Sequence, residues 1–182
     1  MANVVGAEKE LSLEEEIISI LKNPPDIRYL MEIPLQLISE EYNKGNIVEL
    51  AKRSEVGNKL GYLADFSLLL LERHAGKLKG YIEARVEQVR ENLQYVSQEL
   101  EKYKKEDVSC LDEELRFCAE NAPARIRYLD KHPQNREFCK NLEGRWNVIG
   151  VFGVEEMYDY MRFIMTESRK TVSQLSIEEL VR

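Results

Sequence analysis

At 182 residues, 43% of them hydrophobic and 32% charged with both signs mixed, the chain is long enough to bury one sizeable core and too apolar for a disordered polymer. A formal charge of −7 and a pI near 5.1 weigh against wholesale binding of a polyanion, which has to be met by a basic field. Cys110, Cys118 and Cys139 are an odd set without CxxC spacing, and the start MANVVGAEKE lacks the basic and apolar parts of a signal peptide, so a disulfide framework, a zinc knuckle and export are disfavoured and a reducing, cytoplasmic setting is expected.

Helical periodicity dominates the pass along the chain. Ser12 with Glu15 three residues on is the spacing of a capping box and predicts a helix to Leu21, which Asn23-Pro24-Pro25 ends. Residues 26–42 carry Ile27, Leu30, Met31, Leu35, Leu37 and Ile38 at helical spacing, and Pro34 among them predicts a kink or break. Asn43-Lys44-Gly45 reads as a turn. A short helix from Ile47 to Arg53 then leads through Ser54-Glu55-Val56-Gly57 into an apolar helix over about 58–74. A DNA-reading second helix must present polar side chains to the groove, whereas Leu60, Tyr62, Leu63, Phe66 and Leu68 to Leu71 leave almost no such face, so this pair is expected to be a buried hairpin. The run from Leu60 to Leu71 contains Asp65 and Ser67 and falls well short of the roughly 20 apolar residues that cross a bilayer. No membrane association is expected from it.

The clearest stripe is Val86, Val89, Leu93, Val96, Leu100 and Tyr103, a heptad seam that predicts one long central helix over about 78–104 with a single face packed against a partner helix. Leu111 to Glu120 restarts the pattern. Pro123 suits the first turn of a further helix through Arg127, which must end before Pro133, and another helix is expected near Arg136 to Leu142. Trp146 to Gly153 is the only β-like stretch. A lone strand has nothing to pair with, so an extended loop or helix start is expected there. Val154, Met157, Tyr158, Met161, Ile164 and Met165 mark a closing helix over 154–170, and Ser176 with Glu179 forms a second small capping box. The reading is therefore all-α: a single multi-helix domain over 1–182, residues 1–11 flexible, with one long central helix and one buried apolar helix.

Chemistry is sparsely marked. Neither GxxxxGK[ST] nor GxGxxG occurs. A di-iron bundle needs two Glu-x-x-His pairs, yet Leu71 and Leu129 stand three residues before His74 and His132. Two histidines without an acidic cluster support no metal, and no cofactor is implied. The local exception is the segment 125–146, where Arg125, Arg127, Lys131, Arg136, Lys140 and Arg145 outnumber Asp130, Glu137 and Glu143, with Tyr128, Phe138 and Trp146 interleaved. Cations beside exposed rings suit phosphate contact and base stacking on single-stranded RNA. The competing reading is a solvated helix face whose rings point into the core.

Two short stretches resemble known families. Arg127-Tyr-Leu-Asp-Lys-His132 has the Arg-x4-His spacing of the HEPN ribonucleases, small all-helical domains; the resemblance implies that Arg127 stabilises charge on an RNA phosphate and His132 assists proton transfer, while Tyr128 in place of a polar neighbour and Pro133 directly after His132 depart from the family. Residues 46–71, and within them ELAKRSEVGNKLGYLADF, resemble the helical segment with an LGYL core near the C-terminal end of AbiEi-type antitoxins. The first 45 residues leave no room for the winged-helix reader of that family, so this resemblance implies action by binding alone. The leading expectation is a non-catalytic helical interaction or regulatory protein, antitoxin-like in acting by protein–protein binding, that offers a face of the 78–103 or 154–170 helix to a protein partner or to its own copy. The alternative is a metal-independent, HEPN-like ribonuclease or RNA-binding protein working through Arg127, His132 and the basic segment.

Overall fold

The ends of the helices do as much as their apolar faces to fix how this chain is laid out, because each end leaves backbone groups that need partners from outside the helix. The structure, a computed structural model, describes residues 10–23, 25, 27–82, 85–104, 142, 145, 146, 148 and 153–166. Those residues are 84% helical and contain no strand. In chain order they form α1 (Leu13–Lys22), α2 (Ile27–Ser39), α3 (Lys44–Arg53), α4 (Gly57–Ile82), α5 (Val86–Glu99) and a 3-10 turn, Glu101–Tyr103; residues 154–166 form a further helix, α6. No described helix is long and apolar enough to cross a membrane.

The capping box at α1 is present as spelled out by the sequence: the Ser12 hydroxyl accepts from the Glu15 N–H at 3.2 Å, and the Glu15 carboxylate accepts from the Ser12 N–H at 3.0 Å. Glu14, Glu15 and Glu16 add charge where the helix macrodipole favours it. Glu14 also reaches out of its own helix. Its carboxylate is buried and accepts from the Asn43 N–H at 2.5 Å, at the N-cap of α3. Burial pushes that carboxyl up, but the hydrogen bonds from Asn43, from its own backbone and from Ser12 outweigh it and leave the group below its ordinary range. At the other end of α1, Lys59 of α4 donates from Nζ to the Leu21 carbonyl at 2.9 Å, satisfying one of the carbonyls a helix C-terminus leaves over. Two charged side chains thus fix α1 to α3 and to α4.

Pro34 lies buried inside α2, and the helix runs on through it from Ile27 to Ser39. Of the kink or break that this proline predicts, the break does not occur. Leu30, Ile33, Leu37 and Ile38 form the buried stripe of α2, and a helix anchored on four large side chains tolerates the one backbone hydrogen bond that proline removes. Asn43 is a cap rather than part of a turn: its side chain accepts from the Asn46 N–H at 2.9 Å, so α3 starts at Lys44. Between α3 and α4, Glu55 takes a left-handed conformation, φ 59°.

The apolar run predicted as a buried helix is the N-terminal limb of α4. Leu60, Tyr62, Leu63, Phe66, Leu70 and Leu71 are buried, in agreement with the hairpin reading and against a groove-reading helix. The long central helix expected over 78–104 needs correcting in its extent. α4 itself is the longest of the described helices, 26 residues, interrupted by non-helical backbone at His74, φ −120° and ψ 15°. α5 spans 14 residues from Val86 and gives way to the 3-10 turn at Glu101. The heptad stripe nevertheless identified the right face, since Val89, Leu93, Val96 and Leu100 are all buried. α5 runs back along α4 in the opposite direction, bringing Ser97 to Asp65 and Tyr103 to Gly57. α3 closes the other side of α5 through Lys44 over the Tyr95 ring and Lys52 at 3.5 Å from Glu99.

α6 buries Val154, Met157 and Met161, the closing stripe read from the sequence, and it is described to residue 166.

Candidate functional site

α4 carries two polar stations on the side where the later part of the chain docks. The first is built on the spacing Gly57, Gly61, Asp65, one residue per helical turn. A Cβ at Gly57 would lie 2.5 Å from the Tyr103 ring, and one at Gly61 would lie 2.2 Å from the indole of Trp146. Neither is possible, so hydrogen at these two positions opens a slot in which Tyr103 and Trp146 lie directly on the helix backbone. Trp146 is fully buried there. Its Nε1–H donates to Asp65 Oδ2 at 2.9 Å, and the Ser97 hydroxyl donates to Asp65 Oδ1 at 2.5 Å. Lys104 completes the station, with Nζ 3.6 Å from Asp65 Oδ2, 3.4 Å from Ser97 Oγ and 4.8 Å from the centre of the Trp146 ring. Asp65 and Lys104 expose only 15% and 17% of their side chains. A buried ion pair of this kind stands only when its remaining polar capacity is used, and here hydroxyl, indole and ammonium all converge on one carboxylate. That convergence holds α4, α5 and Trp146 together.

The second station lies around the interruption of α4. His74 is 7% exposed and stacks flat on Tyr158 of α6, ring centres 3.8 Å apart and planes 11° from parallel. Its Nε2 is 3.5 Å from Glu155 Oε2, at the outer limit of hydrogen-bond distance, and makes no hydrogen bond. Glu155 is held instead by Arg73, 3.0 Å from its other oxygen, and Lys77 Nζ lies 5.3 Å from the centre of the Tyr158 ring. Burial pushes the His74 imidazole below its ordinary range; Glu155 opposes that, and Lys77 and Arg73 add to it. This is a buried titratable group short of a partner, the converse of Asp65.

A polar cleft of about 230 Å³ lies between the end of α2 and the start of α5, with Glu40, Glu41, Arg85, Gln88 and Asn92 on its walls. Tyr42 also lines it; its hydroxyl is buried without a hydrogen-bond partner, and burial raises the phenol beyond its ordinary range. The described residues contain no group of three His, Cys, Asp or Glu placed to hold a metal ion.

Of the residues singled out in the basic segment, Arg145 is described: it is helical and exposed. Arg125, Arg127, Lys131, His132, Arg136 and Lys140 lie outside the described residues, as do Tyr128 and Phe138. Trp146 follows the core reading, since a fully buried indole has no face to offer a base. Sequence reasoning missed both stations. The Gly-x3-Gly-x3-Asp spacing is the signal that finds the first, because two glycines four apart in an otherwise apolar helix mark a close approach.

No family model, curated protein or solved structure matches this chain.

Outside both stations, α6 turns one stripe of side chains to solvent. Asp159, Arg162 and Phe163 are exposed on successive turns, Arg162 pairs with Asp159 at 3.6 Å, and Phe163 is 62% exposed, the most exposed large hydrophobic residue among those described.

Proposed function

We propose that this chain is a helical interaction protein that works by binding another protein through the outer stripe of α6, antitoxin-like in the limited sense that binding is its whole activity. The observation that carries the reading is Phe163. α6 packs with Val154, Met157 and Met161 on the opposite face, while Phe163 stays 62% exposed among the described residues. Aromatic residues, phenylalanine included, and arginine are enriched at protein interfaces relative to the rest of the surface. Exposed Asp159 next to Arg162 gives the stripe both signs of charge, which favours a partner surface of matching polarity over a polyanion.

A photo-reactive residue placed at 163 in the native cell tests it. The expected result is one discrete cross-linked protein, a second copy of the chain or a partner, that is absent when the probe sits at exposed Glu91 on α5 and when Arg162 is replaced by Glu. No adduct from 163, together with a concentration-independent monomer in light scattering, overturns the reading. The ribonuclease alternative is separated with the same material: cleavage of labelled RNA in EDTA by the parent and not by His132→Ala replaces binding by catalysis as the activity.

A further inference from the structure

We infer that His74 is a proton-operated latch that holds α6 on α4 while its ring is neutral and loosens it on protonation. Three features of the site make a latch rather than a simple contact. His74 stands where α4 is interrupted, so the backbone there lacks regular helical support and its position depends on what the side chain touches. The ring is almost completely buried and is the surface on which Tyr158 lies. Protonation leaves both ring nitrogens as N–H donors, and among the described residues the acceptor that Nε2 approaches is Glu155, whose other oxygen is engaged by Arg73.

The added charge therefore meets Arg73 and Lys77 from α4 and only a shared, partly exposed carboxylate, Glu155, from α6, where the Tyr158 ring is the other side chain that faces it. Attraction of the imidazolium to the Tyr158 ring acts in the stabilising direction, as does Glu155. Burial and the two cations act the other way and prevail, in keeping with the downward displacement of the imidazole. The folded protein then binds the proton less readily than an opened one. The grip on α6 is complete above the ordinary histidine value of 6.5, declines as pH falls below it, and levels off once the folded ring is itself protonated.

Hydrogen exchange of the full chain, corrected for the intrinsic effect of pH on exchange, reads this directly. Amides of 154–166 are expected to exchange severalfold faster at pH 5.5 than at pH 7.5, with α1 to α3 unchanged, and His74→Phe, which keeps a flat ring without a proton site, is expected to abolish the difference. Equal protection of 154–166 at both pH values in the parent, or the same acid loss in His74→Phe, overturns the latch. Should His74→Phe not fold, Glu155→Gln decides: removal of the opposing carboxylate must move the midpoint of loosening to lower pH, and an unmoved midpoint overturns the inference.

Discussion

Asp65 and His74 lie nine residues apart on one helix, are both largely removed from water, and both face the part of the chain that comes after α5, yet they are opposites. Asp65 receives a hydroxyl, an indole and an ammonium, whereas His74 Nε2, 3.5 Å from Glu155, has no well-formed hydrogen bond among the described residues. The carboxylate station offsets the cost of burial with a full set of partners and is a fixed part of the frame. The imidazole station keeps an unsatisfied nitrogen at a break in the helix, and so its state is set by the solvent. Saturation makes a polar group structural, and a missing partner makes it responsive.

The comparison breaks most visibly at the saturated end. Trp146→Ala removes the fully buried indole, opens the slot over Gly61 and strips a donor from Asp65; by the usual cost of large-to-small changes in a core it is expected to lose about 3–5 kcal/mol in urea unfolding. Gly61→Ala attacks the same slot from its floor. With the indole 2.2 Å from the new Cβ, the ring has to leave, and a loss of about 1–3 kcal/mol with a red shift of tryptophan fluorescence is expected. An unchanged emission maximum would show that the slot is not where Trp146 sits.

Glu14→Ala probes a second satisfied carboxylate and is expected to lose about 1–3 kcal/mol, because the Asn43 N–H is left without its acceptor. Its pH dependence has the same sign as that of His74 but another cause, hydrogen bonds to the charged form rather than burial. The Glu14 carboxyl sits below its ordinary 4.5, so its contribution is present above that value and is lost as pH falls beneath it; the parent should show this extra acid-limb loss and the variant should not. The smallest effect sharpens the contrast from the unsatisfied side. Ser67 is fully buried on α4 and its hydroxyl has no partner, so Ser67→Ala is expected to be neutral or to gain up to about 1 kcal/mol, and a clear destabilisation would reveal a bond the hydroxyl makes.

Which features are legible in the amino acids depends on which interactions are local. The Ser12–Glu15 cap, the buried face of 60–71, the seam of Val89, Leu93, Val96 and Leu100, and the inner stripe of 154–165 are all set by spacings of three and four, and all are readable. The reversal between Ile82 and Val86 is not: no proline stands there, the nearest glycine, Gly80, lies inside α4, and the stripe continues across it in phase, so tertiary packing alone decides where α5 begins. Continuation through Pro34 is unreadable for the same reason, because four buried neighbours overrule a local breaker. The two stations join residues as far apart as 65 and 146, and no single-sequence pattern announces such pairs, although Gly57 and Gly61 mark one side of the first. Phe163 lies off the inner stripe of α6, so the spacing already turns it outward; how much of its ring stays uncovered is seen only in the structure.

The indole of Trp146 and the carboxylate that receives it are 81 positions apart, and that interval gives the molecule a direction in time. During synthesis the notch cut into α4 by its two glycines exists long before its occupant leaves the ribosome. Until then Asp65 can be met by Ser97 and Lys104 alone, over a gap sized for a large ring. A chain that ends between Lys104 and Trp146 therefore carries Asp65, Ser97 and Lys104 but lacks the indole that fills the slot over Gly61.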